Sequence, residues 1–254
     1  MPGDTPSATE PVLILIHGAT INGHMWDAVR RHLDPRWRVI APDLPGHGTR
    51  RGERFTLEAA VATVQDAVRA AAPAPVILAG DSLGGYTVMN AAPTLPAERL
   101  RGVIASGCTA DFSKAATKRP FFVKTLLFRV LLSLFGEQRL IASTSGKIRK
   151  QLSAAGMQAE DIDAMVAAGF SLKVFQQAVD ALRPVDHIAK LAAITAPVVL
   201  VNGTRDAVMM RHEAAYLAAA QRGRVRHYDC EHGVSILKPR EFAELLNGMA
   251  GGDL

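Results

Sequence analysis

The sequence predicts an α/β domain: a mostly parallel sheet of about six strands, flanked by helices, with a helical cap inserted. Three observations carry this. Short apolar, β-branched runs alternate with stretches of helical spacing, as in strand–helix–strand units whose strands are buried on both faces. Glycine-rich turns follow several of those runs directly. Between residues 111 and 183 the strand signals stop, and the helical pattern left there is too long to be a loop.

Val12–Ile16 is the first run, and it ends in the loop His17-Gly18-Ala19-Thr20. His24 to Leu33 has helical spacing through Met25, Trp26, Val29 and Leu33. Arg38–Ala41 is a second short strand, leading into the turn-rich Pro42-Asp43-Leu44-Pro45-Gly46-His47-Gly48. Thr56 is placed to cap a helix that runs to Ala72, with Leu57, Ala60, Val61, Val64 and Val68 as its apolar stripe. Val76–Ala79 is the third strand; Gly80-Asp81-Ser82-Leu83-Gly84-Gly85 follows it, then a helix over Tyr86–Ala92. Leu100–Ala105 is the fourth strand, ending at Ser106-Gly107. Val198–Val201 and Val225–Tyr228 are the last two, separated by a helix from Glu213 to Ala220. Pro239, suited to a first turn, opens a final helix to about Met249. Residues 1–110 and 184–254 thus read as the core, and 111–183 as a cap on the carboxyl-end side of the sheet.

Composition narrows the function classes. A chain of 254 residues with 48% hydrophobic and 21% charged side chains has the material for a globular core. Two cysteines, Cys108 and Cys230, exclude a disulfide scaffold and fit a reducing cytoplasm. Met1 to Pro11 lacks the apolar core of a signal peptide. Phe121 to Phe135, the longest apolar stretch, is broken by Lys124 and Arg129 and is too short for a membrane span. The net charge of +5 comes without zinc-ligand spacing, an aromatic platform or a continuous basic helix, so no nucleic-acid partner is expected.

The chemistry concentrates in Gly80–Gly85. A serine on a sharp strand-to-helix bend presents its hydroxyl at the strand's carboxyl end, and small flanking residues avoid collisions across the bend. Nucleophilic catalysis by serine also needs a base, an acid to orient that base, and donors for the developing oxyanion. On a sheet of this kind those groups follow in the order Ser, Asp or Glu, His. Asp206, just past Val198–Val201, and His232, just past Val225–Tyr228, fall in that order behind Ser82. Asp229 and Glu231 are rival acids, but they lie too close to His232 in the same loop to meet its far imidazole nitrogen in line. Two backbone N–H groups are expected to form the oxyanion hole, one from Leu83 at the start of its helix and one from Ala19. His17 is expected to hold the shape of its loop, and His47 to be structural or to line the site entrance. Asp81, a carboxylate beside the nucleophile, is expected to point away from it.

These motifs together resemble the α/β-hydrolase family across nearly the whole chain: His17-Gly18 with Trp26 downstream, Asp43–Gly48, the Gly80–Gly85 elbow, Gly203-Thr204-Arg205-Asp206 and His232. The stretch His232–Pro239 is similar to the subgroup of plant methyl esterases and hydroxynitrile lyases. The resemblance implies a Ser82–His232–Asp206 triad, an acyl-enzyme intermediate and neither cofactor nor metal. Asp81 departs from the histidine usual in the elbow, and the chain begins almost at the first parallel strand. In the lyases of that subgroup a lysine follows the catalytic histidine and a threonine replaces the first-loop glycine. Gly233 and Gly18 stand at those positions here, which implies hydrolysis.

The expected activity is therefore hydrolysis of a carboxylic ester of a small, largely apolar molecule. A thioesterase, a lyase or isomerase, and a receptor on the same fold are the alternatives. Phe121, Phe122, Leu126 and Leu127 are expected to line the substrate pocket, as part of a cap helix lying over the cleft. The cap carries eleven Lys and Arg against six Asp and Glu, an excess suited to an acidic carrier or coenzyme phosphate if the substrate is a thioester.

Overall fold

Val12 and Arg38 start two strands that lie side by side, and the remaining four strands extend the sheet from the other edge of the first. The structure is a computed structural model and describes residues 10–112 and 114–250; among the helical residues, the side chains of 115, 116, 118–120, 122, 124 and 250 lie outside the described set. The strands are β1 (Val12–Ile16), β2 (Arg38–Ile40), β3 (Val76–Asp81), β4 (Leu100–Ser106), β5 (Val198–Gly203) and β6 (Gly223–Tyr228), in the order β2-β1-β3-β4-β5-β6. Every neighbouring pair is parallel.

Alternation along the buried strands builds two cores. Val12, Ile14 and Ile16 join one apolar cluster, while Leu13 and Leu15 join the other on the opposite face. The helices that cover these faces are α1 (Asp27–Arg30), α2 (Leu57–Ala70) and α3 (Leu83–Ala91). Between β4 and β5 come α4 (Ala115–Phe135), α5 (Glu137–Ala154), α6 (Ala159–Ala168), α7 (Val174–Leu182) and α8 (His187–Ala192). The chain then adds α9 (Ala207–Met210), α10 (Glu213–Ala219), α11 (Val234–Leu237) and α12 (Pro239–Ala250). Thr56 caps α2, its hydroxyl accepting from the Ala59 N–H at 3.1 Å. No helix among the described residues is long and apolar enough to cross a membrane.

Two helical segments differ from the sequence expectation. His24 to Leu33 is a 3-10 turn over Gly23–Trp26 followed by the single turn α1. Asn22 explains this: its carboxamide accepts from the His24 N–H and donates to the carbonyls of Met165 and Gly169, pinning a tight turn. The helix after β3 starts at Leu83, not Tyr86, because the chain bends at Ser82 alone.

The strand order places the site. After β1 the chain adds β2 on one side, and β3 then pairs on the other, with Ile16 level with Gly80. The loops leaving β1 and β3 diverge, and a crevice opens between them at the strands' carboxyl ends.

Candidate active site

Ser82 is the residue on which β3 turns into α3. Its φ of 52° and ψ of −112° lie outside the regions ordinary residues occupy, a backbone strain typical of functional turns. Its surroundings enforce the bend. A Cβ at Gly80 would run into the Gly84 carbonyl, and a Cβ at Gly84 would run into the Ile16 carbonyl. The Ser82 N–H also donates to the Ser106 carbonyl at 2.7 Å, tying the turn to the end of β4.

His232 reaches this hydroxyl from the loop after β6. Its Nε2 lies 3.0 Å from Ser82 Oγ, and its Nδ1 lies 2.5 Å from Asp206 Oδ2. An ionised carboxylate can only accept, so Nδ1 carries the proton and Nε2 is left to accept from the serine. Asp206 caps α9, its Oδ1 accepting from the Met209 N–H at 3.2 Å. Burial opposes its charge, but the hydrogen bond and charge of His232, with the Met209 and Val208 N–H groups, outweigh this and lower its pKa. The rival acids turn elsewhere: Asp229 and Glu231 are exposed and face Arg205, at 2.8 and 3.6 Å. Gly107, which the sequence marks only as a strand end, sits against the imidazole with a φ of 58°, and a Cβ there would stand 3.0 Å from His232 Cε1. Its position directly after a strand end was the available signal.

The loop after β1 is held by two buried histidines. His17 Nδ1–H donates to its neighbour's Gly18 carbonyl at 2.8 Å, and Nε2 accepts from the Leu44 N–H at 2.9 Å. His47 Nδ1–H donates to the Pro45 carbonyl at 3.0 Å, and Nε2 accepts from the Thr20 N–H at 3.2 Å. Burial lowers both pKa values, that of His47 to about 3 with help from neighbouring His17, so both rings are neutral. They hold Thr20 at a φ of 69° and set Ala19 at the edge of the cavity. Opposite, Leu83 is the first residue of α3, whose opening N–H groups have no partner within the helix. Asp81 is buried and turned toward β4, accepting from Ser106 Oγ at 2.8 Å; burial raises its pKa.

Above Ser82 lies a cavity of about 410 Å³ with mostly apolar walls, among them Tyr86, Phe112, Phe121, Phe175, Val179 and Met209. Of the four cap residues expected there, Phe121 is in the wall and the Phe122 side chain lies outside the described residues. Leu126 and Leu127 are not in the wall; they are 43% and 58% exposed. The reason is helical geometry: residues at Phe121, Thr125 and Phe128 share the inner face of α4, and Leu126 and Leu127 project from the outer one. Much of the missing wall comes from α7, through Phe175, Ala178, Val179 and Leu182. Their spacing of three, one and three residues is an amphipathic stripe that does not stand out within the all-helical stretch 111–183.

Comparison with known proteins places these features in a family. The model of the alpha/beta hydrolase family matches residues 13–245. A pimeloyl-[acyl-carrier protein] methyl ester esterase of Neisseria meningitidis serogroup C is 30% identical over 220 residues, covering 84% of this chain and 81% of that one. Among solved structures, a carboxylesterase of Nitrososphaera gargenis superposes with a TM-score of 0.75 at 20% identity, over 98% of this chain and 93% of the other. The thioesterase domain of the curacin biosynthetic pathway gives 0.70 at 18% identity, over 94% and 92%. The chain belongs to the α/β-hydrolase family.

Proposed function

We propose that this α/β hydrolase cleaves a carboxylic ester through an acyl-enzyme on Ser82. The observation that carries this is the continuous relay from Asp206 through His232 to Ser82 Oγ, at 2.5 and 3.0 Å, opening into an apolar cavity. Ser82 Oγ attacks the ester carbonyl as His232 Nε2 takes its proton, and Asp206 stabilises the imidazolium that results. The carbonyl oxygen gains negative charge, and the N–H groups of Leu83 and Ala19, both in the cavity lining, are its donors together with the start of α3. The imidazolium then protonates the departing alcohol as the carbon–oxygen bond breaks. Water, deprotonated by the same nitrogen, attacks the acyl-serine and releases the acid, restoring Ser82.

Residues 111–183 act as the cap and supply acyl specificity through Phe112, Phe121 and the α7 wall. The named activity of the Neisseria relative, on a methyl ester with an acyl chain, supports a substrate with a small alcohol and a largely apolar acyl part. Two free, buried thiols, Cys108 and Cys230, support a cytoplasmic location.

The test is chemical. A fluorophosphonate should label Ser82 alone, and Ser82→Ala should fold yet lose hydrolysis of p-nitrophenyl butyrate by several orders of magnitude. Labelling at another serine, or an active Ser82→Ala protein, would refute the assignment. Parallel turnover of butyryl-coenzyme A decides between an oxygen ester and a thioester.

A further inference from the structure

We propose that the outer face of α4 docks this protein onto an anionic lipid surface. A helix with one side in water should be polar on that side. α4 is apolar on both. Its inner face holds Phe121 and Phe128, while Val123, Leu127, Val130 and Leu134 point the opposite way at successive turns and are 63%, 58%, 45% and 69% exposed. Leu126, at 43%, broadens the same outer surface. Residues 1–9, 113 and 251–254 contain only Met1 and Leu254 as large apolar side chains.

Charge identifies the occupant. Residues 115–154, the α4–α5 hairpin, hold eight of the chain's 29 Lys and Arg but one of its 24 Asp and Glu. The rest of the chain is thus slightly acidic, and the basic character of the protein resides in this hairpin. Arg129, Arg139, Lys147 and Lys150 are exposed, and none is ion-paired among the described residues. A second copy would bring two such hairpins into mutual repulsion. A bilayer with anionic headgroups answers both properties at once: cations meet lipid charge, and the apolar ridge enters the acyl boundary without needing complementary pockets. The ridge begins at Val123, two residues past Phe121 in the cavity wall, so a lipid-dissolved ester would have a short apolar path toward Ser82. The docking itself does not rest on the ester-hydrolase reading; only that last consequence does.

The experiment is co-sedimentation of the full chain with vesicles of phosphatidylcholine alone or of equimolar phosphatidylcholine and phosphatidylglycerol. The protein should sediment with the anionic vesicles, far less with the neutral ones, and be released by added salt. Val130→Glu with Leu134→Glu should lower partition by roughly tenfold or more, and each of Arg129→Gln, Lys147→Gln and Lys150→Gln by about fivefold. All of them should keep hydrolysis of a soluble p-nitrophenyl ester, which also reports that they are folded. Absence of sedimentation, or partition unchanged in the glutamate double variant and in the glutamine variants, would overturn the proposal. So would vesicle-independent dimerisation that the double variant abolishes, or saturable binding to an acidic acyl carrier protein by a chain that ignores vesicles.

Discussion

Ser82, Asp206 and His232 each occupy the end of a strand or the turn after it, where one residue more or less in the chain would point the side chain elsewhere. On the far side of the same cavity, α4 and α7 offer side chains that differ little in chemistry and touch the site by patches. The strand-end side is fixed by backbone hydrogen bonds, glycines without room for a Cβ, and paired polar atoms. The helical side is fixed by apolar packing, which has no preferred direction and tolerates exchange of similar volumes. Chemistry is placed where geometry is rigid, and selectivity where it is forgiving.

The largest expected effect separates two carboxylates on the rigid side. Asp206→Asn should lower kcat by about 10⁴-fold, by analogy with the same change in other triads, while Asp229→Asn should cost little. Steady-state kinetics on both variants checks this, and the reverse ranking would move the acid to the histidine's own loop.

A smaller effect concerns the histidines bracing the loop after β1. The His47 ring titrates near 6.5 when unfolded and at about 3 when buried. Between those values the unfolded chain binds one more proton, so stability falls as pH falls. The loss from this ring at pH 5 is about 2 kcal/mol relative to neutral pH. Urea midpoints at pH 7 and pH 5 should therefore differ less for His47→Gln than for the natural chain. Equal acid sensitivity in both would mean the ring is not held neutral.

The smallest effects belong to the helical side. Each buried methylene contributes about 0.8 kcal/mol, so kcat/KM should climb by about two decades from an acetyl to a hexanoyl p-nitrophenyl ester. Phe121→Ala with Val179→Ala should flatten that climb, whereas Leu126→Ala with Leu127→Ala should leave it alone. The opposite outcome would make the outer face of α4 the selective one.

Legibility in the sequence follows the same division. Strand ends announce themselves: Val76–Ala79 running into Gly80–Gly85 leaves Ser82 one possible place, and Asp206 and His232 follow from their positions after Val198–Val201 and Val225–Tyr228. The six strands are visible because buried parallel strands are continuous apolar runs, although β3, β5 and β6 extend two residues further than those runs. The inner face of α4 was not visible. When both sides of a helix are apolar, periodicity no longer tells which side faces the protein, and Leu126 and Leu127, expected in the pocket, lie on the outer side. Thr20 and Gly107 escaped for another reason: their φ values arise from what packs around the loop, not from a local sequence pattern.

The relay also spans the chain. Ser82 and His232 are 150 residues apart in sequence, and β6 must be laid down before the imidazole reaches the elbow. Loop closure over such a separation is slow and late, since its entropy must be spent before the contact rewards it. A nascent chain that has emerged as far as β5 holds the nucleophile's strand, turn and helix but lacks the base, and its serine stays inert. Onset of hydrolysis during refolding therefore marks the docking of the last strand and its loop, and a burst of label uptake at Ser82 times the completion of this sheet without any spectroscopic probe.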